Sequence, residues 1–309
     1  MPRPSQVHVS KALENISVAY MPQGLVAQDV SKVVPVMHES DTYFVYSKDN
    51  LRVLSTVWAD GDVPNRSNWN LSTSTYTLTR NALRDLVTDR TKDNADIAVK
   101  PEVDVTEALT GQIKLKMEID LFSLINSLTS WAARTSLSST QRWSANTTIS
   151  NPITFVDSAT TSVRRRSGMK ANTMVISDGT FKAAKEHTSI VDRIKYTSQQ
   201  SVTPDLLATL FNVDKVLVSG AVQNTADEGI TDVLADVATD TAFVGYVEPN
   251  PGLRKPSTFY TFQKEGATRP FRVRKYRDDE REGDWIEVSS FYQIRVVSSD
   301  CGYIINDTE

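Results

Sequence analysis

The feature that most constrains this chain is how little interior its first eighty residues can make. Apolar residues are scattered through Ile16–Tyr20 and Leu25–Ala27, but neither helical nor strand periodicity is sustained, and Pro22 and Pro35 interrupt any helix. Residues 1–37 therefore read as an arm that must lie along something else. Residues 38–80 read as a long two-stranded excursion. Thr42–Tyr46 is rich in aromatic and β-branched residues, and Ser72–Leu78 is its expected partner. Between them, Asp60-Gly61-Asp62 and Pro64–Asn68 are dense in turn formers. A polar hairpin of this length is marginal when isolated. Trp58, Arg66 and Trp69 sit in it, and two readings stay open: docking of the large aromatics on another chain, or a local fold-back.

The rest of the chain supplies the core. Asn81–Asp89 reads as a short helix. Asp104-Val105-Thr106-Glu107 has capping-box spacing and predicts a long helix running to about Trp131, roughly 40 Å at about 1.5 Å per residue. Ile113–Leu121 alternates like a strand, but Lys, Leu, Met and Glu favour helix, and Leu124, Ile125 and Leu128 continue at helical spacing. On that helix Ile113, Met117, Leu121, Leu124 and Leu128 share one face, and Leu115, Ile119 and Phe122 the opposite one. Such a helix must be covered on two sides, either inside one domain or as a spine between a sheet and neighbouring elements.

From residue 136 an α/β body is expected. Asn151-Pro152 opens a helix whose apolar face is Ile153, Val156, Ala159 and Val163, with Gly168 as its stop. Thr173–Ile176, Lys215–Val218 and Ala242–Tyr246 read as strands. Helices are expected after Asp178-Gly179 and Thr203-Pro204. After Pro251 the pattern turns antiparallel, with strands at Phe271–Tyr276, Trp285–Val288 and Tyr292–Val297.

Chemistry is sparse. No phosphate-cradling glycine loop, nucleophile elbow or paired-histidine zinc motif occurs, and 12 glycines in 309 residues leave little room for one. His8, His38 and His187 are far apart in sequence, and the lone Cys301 cannot make an internal disulfide, which fits a reducing compartment. No catalytic residue, metal or cofactor is expected. The polar start and the lack of a long apolar run predict neither a secretory leader nor a membrane span. A net charge of −4 argues against tight nucleic-acid binding by the whole surface. The sharpest basic cluster, Arg164-Arg165-Arg166, reads either as a favourable helix C-terminus or as a contact with nucleic acid or an acidic neighbour. The run Arg277-Asp278-Asp279-Glu280-Arg281-Glu282 reads as a solvated loop, or as an inter-subunit salt-bridge contact carried by Arg277, Asp278, Asp279 and Glu280.

Ile16–Tyr20, Pro22, Ala27–Val30, Val34-Pro35-Val36 and Tyr43–Val45, followed by Trp131, Trp143, Asn151–Ile153, Ala171–Ser177, Asp192–Tyr196, Thr203–Leu207 and Val216–Ala221, occur in an order that resembles the major capsid proteins of tailed phages, the Hong Kong 97 type of fold. The likeness spans about 300 residues. It implies an α+β coat fold: an N-terminal arm (1–37), an extended β-hairpin loop (38–80), a peripheral domain with a long spine helix (81–135 and 256–309) and an α/β axial domain (136–255). It also implies self-assembly into hexamers and pentamers of an icosahedral head around double-stranded DNA, in the host cytoplasm and then the virion. The expected partners are further copies of the chain, portal and decoration proteins, and DNA held by non-specific contact. A separate scaffolding protein is expected too, because no long charged helical segment precedes the arm. The competing expectations are a phage tail, decoration or binding module and, from another class, a cytoplasmic enzyme.

Overall fold

The structure is a computed structural model that describes residues 22–46, 48–67, 70–94, 100–127, 129–195, 202–227, 229–252, 254–264 and 271–309. Residues 1–21 of the expected arm, with Trp69 and Leu128, lie outside the described residues.

A one-turn helix α1 (Ala27–Val30) leads into strand β1 (Lys32–Val36). The expected hairpin follows: β2 (Ser40–Tyr46) pairs antiparallel with β3 (Leu71–Thr77), Ser40 opposite Thr77 and Tyr46 opposite Leu71. The next segment overturns the reading of Asn81–Asp89 as helix. Thr79–Thr88 is strand β4, paired along its ten residues with a strand two hundred positions later. Its Asn, Ala, Leu, Arg and Asp residues have no strong strand preference, and the long pairing partner decides.

After a short helix α2 (Asp89–Asn94) comes the long helix α3 (Pro101–Ile125). It starts ahead of the expected capping box. Pro101 takes N1, where its missing N–H costs nothing, and Glu102 and Asp104 favour the positive end from the first turn. It stops at Ile125, before Trp131. The Trp131 indole turns back and donates to the Ile125 carbonyl at 2.7 Å, satisfying an orphan acceptor of the last turn. Leu109, Ile113, Met117, Leu121, Phe122 and Ile125 are buried, while Leu115, Ile119 and Leu124 pack half-buried against the same cluster. Phe122 thus belongs to the buried stripe rather than an opposite face.

Strand β5 (Arg134–Ser136) precedes α4 (Pro152–Ser167), β6 (Thr173–Ser177), α5 (Asp178–Glu186), α6 (Thr188–Ile194), α7 (Pro204–Leu210) and β7 (Lys215–Ser219). A small hairpin, β8 (Val222–Asn224) with β9 (Leu234–Asp236), leads to β10 (Thr241–Gly245). The chain then runs through β11 (Phe259–Lys264), β12 (Arg272–Asp278), β13 (Gly283–Val296) and β14 (Gly302–Asn306). The two strands expected over 285–297 are one strand, β13, of 14 residues. Helix α4 follows expectation: Asn151 caps it by accepting from the Ile153 N–H at 3.1 Å, Ile153, Val156, Ala159 and Val163 are buried, and Gly168 ends it at φ 75°.

The strands form two five-stranded sheets. In the first, β1, β11, β13 and β12 are neighbours in that order and β4 pairs along β13, with α3 packed on β13 and β4. The second runs β5-β14-β10-β6-β7, with β6 and β7 parallel. Every residue of β6 and β10 is buried, which explains their unbroken apolar runs. Strand β14 returns to this second sheet, although the sequence-based division counts residues 256–309 with the spine helix. One apolar cluster centres on α3 and links both sheets, and a second lies between the second sheet and α4–α7. No described helix is long and apolar enough to cross a membrane.

Candidate assembly surfaces

The hairpin is held at its base and open at its end. At the base, Tyr76 stacks on Phe262 of β11 with ring centroids 4.7 Å apart, and Tyr43 lies 5.2 Å from the same ring. Beyond the strands, Lys48 pairs with Asp300 at 2.5 Å and the Leu51 side chain lies over Gly168 at the end of α4. From there to Ser67 every described residue is exposed. Val53, Val57, Trp58 and Val63 are 93%, 88%, 61% and 84% exposed. The tip is a turn closed by the Asp62 N–H donating to the Ala59 carbonyl at 3.1 Å, with Gly61 at φ 82°, where glycine is unstrained. Trp58 does fold back in part: its indole N–H donates to the Asp62 carbonyl at 2.6 Å, yet the ring stays open to solvent. Arg66 is exposed as well. A second exposed apolar patch, missed by pattern reading, is the β8–β9 hairpin with Ile230, Val233 and Leu234.

The charged run Arg277–Glu282 is not wholly the expected loop: Arg277 and Asp278 end strand β12, and the run is tied into its own chain. Arg277 makes a two-pronged pair with Asp89 at 2.7 and 2.6 Å, which raises the guanidinium's proton affinity and holds the Asp89 carboxyl below its usual range. Asp278 accepts from the Trp285 indole at 2.8 Å, the main cause of its lowered pKa. Asp279 accepts from Arg277 at 3.3 Å and is exposed, as is Glu280. Nearby, Lys92, Glu102, Lys275 and Asp284 form a mutual network that fastens the N-terminus of α3 to the sheet.

Arg164, Arg165 and Arg166 occupy the last turn of α4, where cations suit the negative helix end. Arg164 and Arg165 are exposed. Arg166 donates to the Ala132 carbonyl at 2.5 Å and lines two shallow neighbouring grooves of about 600 and 510 Å³, one with Trp131 and Tyr303, the other with Asp157 and Arg165. Among the described residues no cluster of His, Cys, Asp and Glu could hold a metal. His187 is buried between Ser150, 2.9 Å from Nε2, and Ser189, 2.7 Å from Nδ1. It caps α6.

One buried charge went unnoticed in the sequence. Glu118 of α3 is fully enclosed. Its Oε2 accepts from the Val26 and Ala27 N–H groups at 2.9 and 2.7 Å, and its Oε1 from the Ser219 hydroxyl at 3.0 Å. A single carboxylate thus joins the entry of α1, the long helix and the end of β7. In sequence it is one of an alternating polar row, Lys114, Lys116, Glu118 and Asp120, and nothing local marks it out.

No protein-family model matches the chain. It is 25% identical to the major capsid protein of Burkholderia phage BcepMu over 306 residues, 96% of each chain. Among solved structures it resembles a phage-related protein from Bordetella bronchiseptica RB50 (23% identity, 94% of both chains, TM-score 0.72). It also resembles the capsid of cyanophage P-SCSP1u (9% identity, 98% of this chain and 93% of that one, TM-score 0.66) and the SrpI encapsulin of Synechococcus elongatus PCC 7942 (12% identity, 98% and 97%, TM-score 0.58). The chain has the capsid-type α+β fold found in phage heads and encapsulin shells, and the sequence similarity supports a capsid-like structural role.

Proposed function

We propose that this chain is the major capsid protein of a tailed-phage head of the Hong Kong 97 type, building hexamers and pentamers of an icosahedral shell around double-stranded DNA. The observation that carries the reading is the loop from Leu51 to Ser67, which holds out three valines and a tryptophan with nothing of its own to cover them. Such residues are costly in water and characteristic of contact surfaces. The similarity to the BcepMu capsid protein supports it independently. In this reading the loop is covered by neighbouring copies. A separate scaffolding protein, a portal and decoration proteins are the further partners, and Arg164 and Arg165 touch packaged DNA without sequence preference.

Deleting residues 56–70 tests the reading. The shortened chain should remain soluble and folded but form no closed shells in negative-stain images. Normal shells from the deletion would remove the role given to the loop. The likeness to an encapsulin favours a second reading, a shell without a genome. Particles purified from the native source decide between the two: nuclease-protected double-stranded DNA inside them supports the phage head.

A further inference from the structure

His187 is the only histidine between residues 136 and 255, and it forms the corner between two helices. It ends α5 and caps α6: its backbone N–H donates to the Ala184 carbonyl at 3.2 Å, and its carbonyl accepts from Ile190 and Val191, both at 3.0 Å. The side chain is buried and ties this corner to the entry of α4 through Ser150. The surrounding bonds fix which ring nitrogen carries the hydrogen. The Ser150 hydroxyl donates to the Thr147 carbonyl at 3.2 Å, and its oxygen accepts from the Thr147 N–H at 2.9 Å. What it offers to Nε2, 2.9 Å away, is therefore a lone pair, and Nε2 donates. On the other side the Ser189 N–H donates to Nδ1 at 3.2 Å, so Nδ1 carries no hydrogen. The ring is the neutral Nε2–H tautomer, enclosed by its own chain.

A second proton has one place to go, Nδ1. There it would face the Ser189 N–H, a backbone donor that cannot turn away, and the first turn of α6 would lose its cap. The new cation would also lie without a counter-charge, which burial makes costly. Asp157 on α4, Lys182, Lys185 and Glu186 on α5, and Asp192 and Arg193 on α6 are all exposed, and none of them bonds the imidazole among the described residues. Arg142 reaches for Asp307 at 3.9 Å, and Arg164 to Arg166 lie at the far end of α4. We propose that His187 is an acid-sensitive pin: in mild acid the α5–α6 corner opens locally, α6 leaves the entry of α4, and the imidazole takes its proton in water. Burial holds the ring below its ordinary value of about 6.5, so the open corner binds the proton before the closed one does. The closed corner is therefore fully favoured above that value. As pH falls below it the open population grows, approaching roughly tenfold per pH unit for one proton. Opening bares Ile190 and Ile194, which the closed corner buries between the second sheet and its helices. The pin belongs to the single chain and does not depend on whether copies assemble.

Hydrogen exchange on the full purified chain tests this at pH 7.5, 6.5 and 5.5, with each rate corrected for the intrinsic pH dependence of exchange. Protection of the Ser189–Val191 amides should fall by no more than about twofold from pH 7.5 to 6.5, then by up to about fivefold from 6.5 to 5.5. The amides of β6 should stay protected throughout. His187→Asn keeps a side-chain acceptor for the Ser189 N–H but does not titrate, so its protection should not change over this range. Protection that is independent of pH in the unaltered chain, or an equal loss in the asparagine variant, would overturn the proposal. So would an equal loss in β6, which would mean global unfolding instead of a local opening. A second measurement needs no change at the corner. Imidazole nitrogen resonances of the histidine-labelled chain, assigned through His8→Gln and His38→Gln, should show the Nε2–H tautomer of His187 at pH 7.5. The Nδ1–H tautomer, or a ring already charged at that pH, would remove the bond pattern on which the pin depends.

Discussion

Replacing Glu118 with alanine would strip partners from three buried donors at once. The Val26 and Ala27 N–H groups and the Ser219 hydroxyl all end on this carboxylate. A buried donor left without an acceptor costs about 1–3 kcal/mol. The serine hydroxyl can rotate toward another acceptor, but the two backbone groups cannot, and the truncated side chain also leaves a cavity. The expected loss is about 3–5 kcal/mol, a large share of the stability of a typical domain. Urea unfolding of the purified chain measures it, and proteolysis near residues 22–31 should accelerate in parallel. Glu118→Gln keeps a carbonyl oxygen for the two N–H groups and turns its amide toward Ser219, so its loss should stay near ~1 kcal/mol. The two variants also differ from wild type in pH response. Burial pushes the Glu118 carboxyl up from its ordinary value, against three hydrogen bonds that pull it down. The folded state therefore holds this proton more tightly than the unfolded chain does. The group adds stability as pH falls through its folded pKa toward the ordinary glutamate value, and loses it as pH rises. The glutamine variant should lack that increment. An alanine variant within about 1 kcal/mol of wild type would refute the reasoning, since it would mean the three donors find other partners.

His187 carries the opposite pH signature. Burial lowers its pKa, so the unfolded chain takes the proton first, and stability should fall as pH drops below about 6.5, an effect absent in His187→Gln and read by unfolding at pH 7.5 and 5.5. Gly302→Ala should destabilise by about 1–3 kcal/mol or more, because the added carbon would sit 2.4 Å from Trp131 and 2.9 Å from Phe243 in a packed core; a melting curve matching wild type would contradict the packing. Asn151→Ala removes the cap of α4 and should cost about 1 kcal/mol, while Asn151→Ser, which keeps an acceptor, should cost less.

Much of this fold is legible in the residues. Local chemistry marks Asn151-Pro152 and Gly168 as helix ends, and β-branched and aromatic runs mark β2, β6 and β10; the arm expected over residues 1–37 is instead, from Val26 to Val36, built into the chain's own core and sheet. What escapes is decided at a distance. Nothing within Asn81–Asp89 announces that β13 will claim it as a strand, and the capping-box spacing at Asp104 competes with a proline three residues earlier that starts the helix. The candidate surfaces are only half visible. Trp58 stands out by its polar surroundings, but the pair of Arg277 with Asp89 joins residues 188 positions apart, brought together by the register of β4 and β12 on β13. The buried role of Glu118 likewise depends on the chain entering at Val26 and leaving at Ser219.

The pairing of Thr88 with Gly283 and of Thr79 with Tyr292 fixes an order of events during synthesis. At roughly 5–20 residues per second, β4 emerges on the order of 10–40 s before the strand that completes it. Strand β1, bonded to Tyr260–Lys264, waits slightly longer. Folding of the central sheet is therefore a task for the finished polypeptide rather than the growing one. During that interval the nascent chain exposes strand edges that crowded ribosomes bring into contact with one another. The edges of β1 and β4 stay unpaired, and most open to wrong pairing, until almost the whole chain has been made.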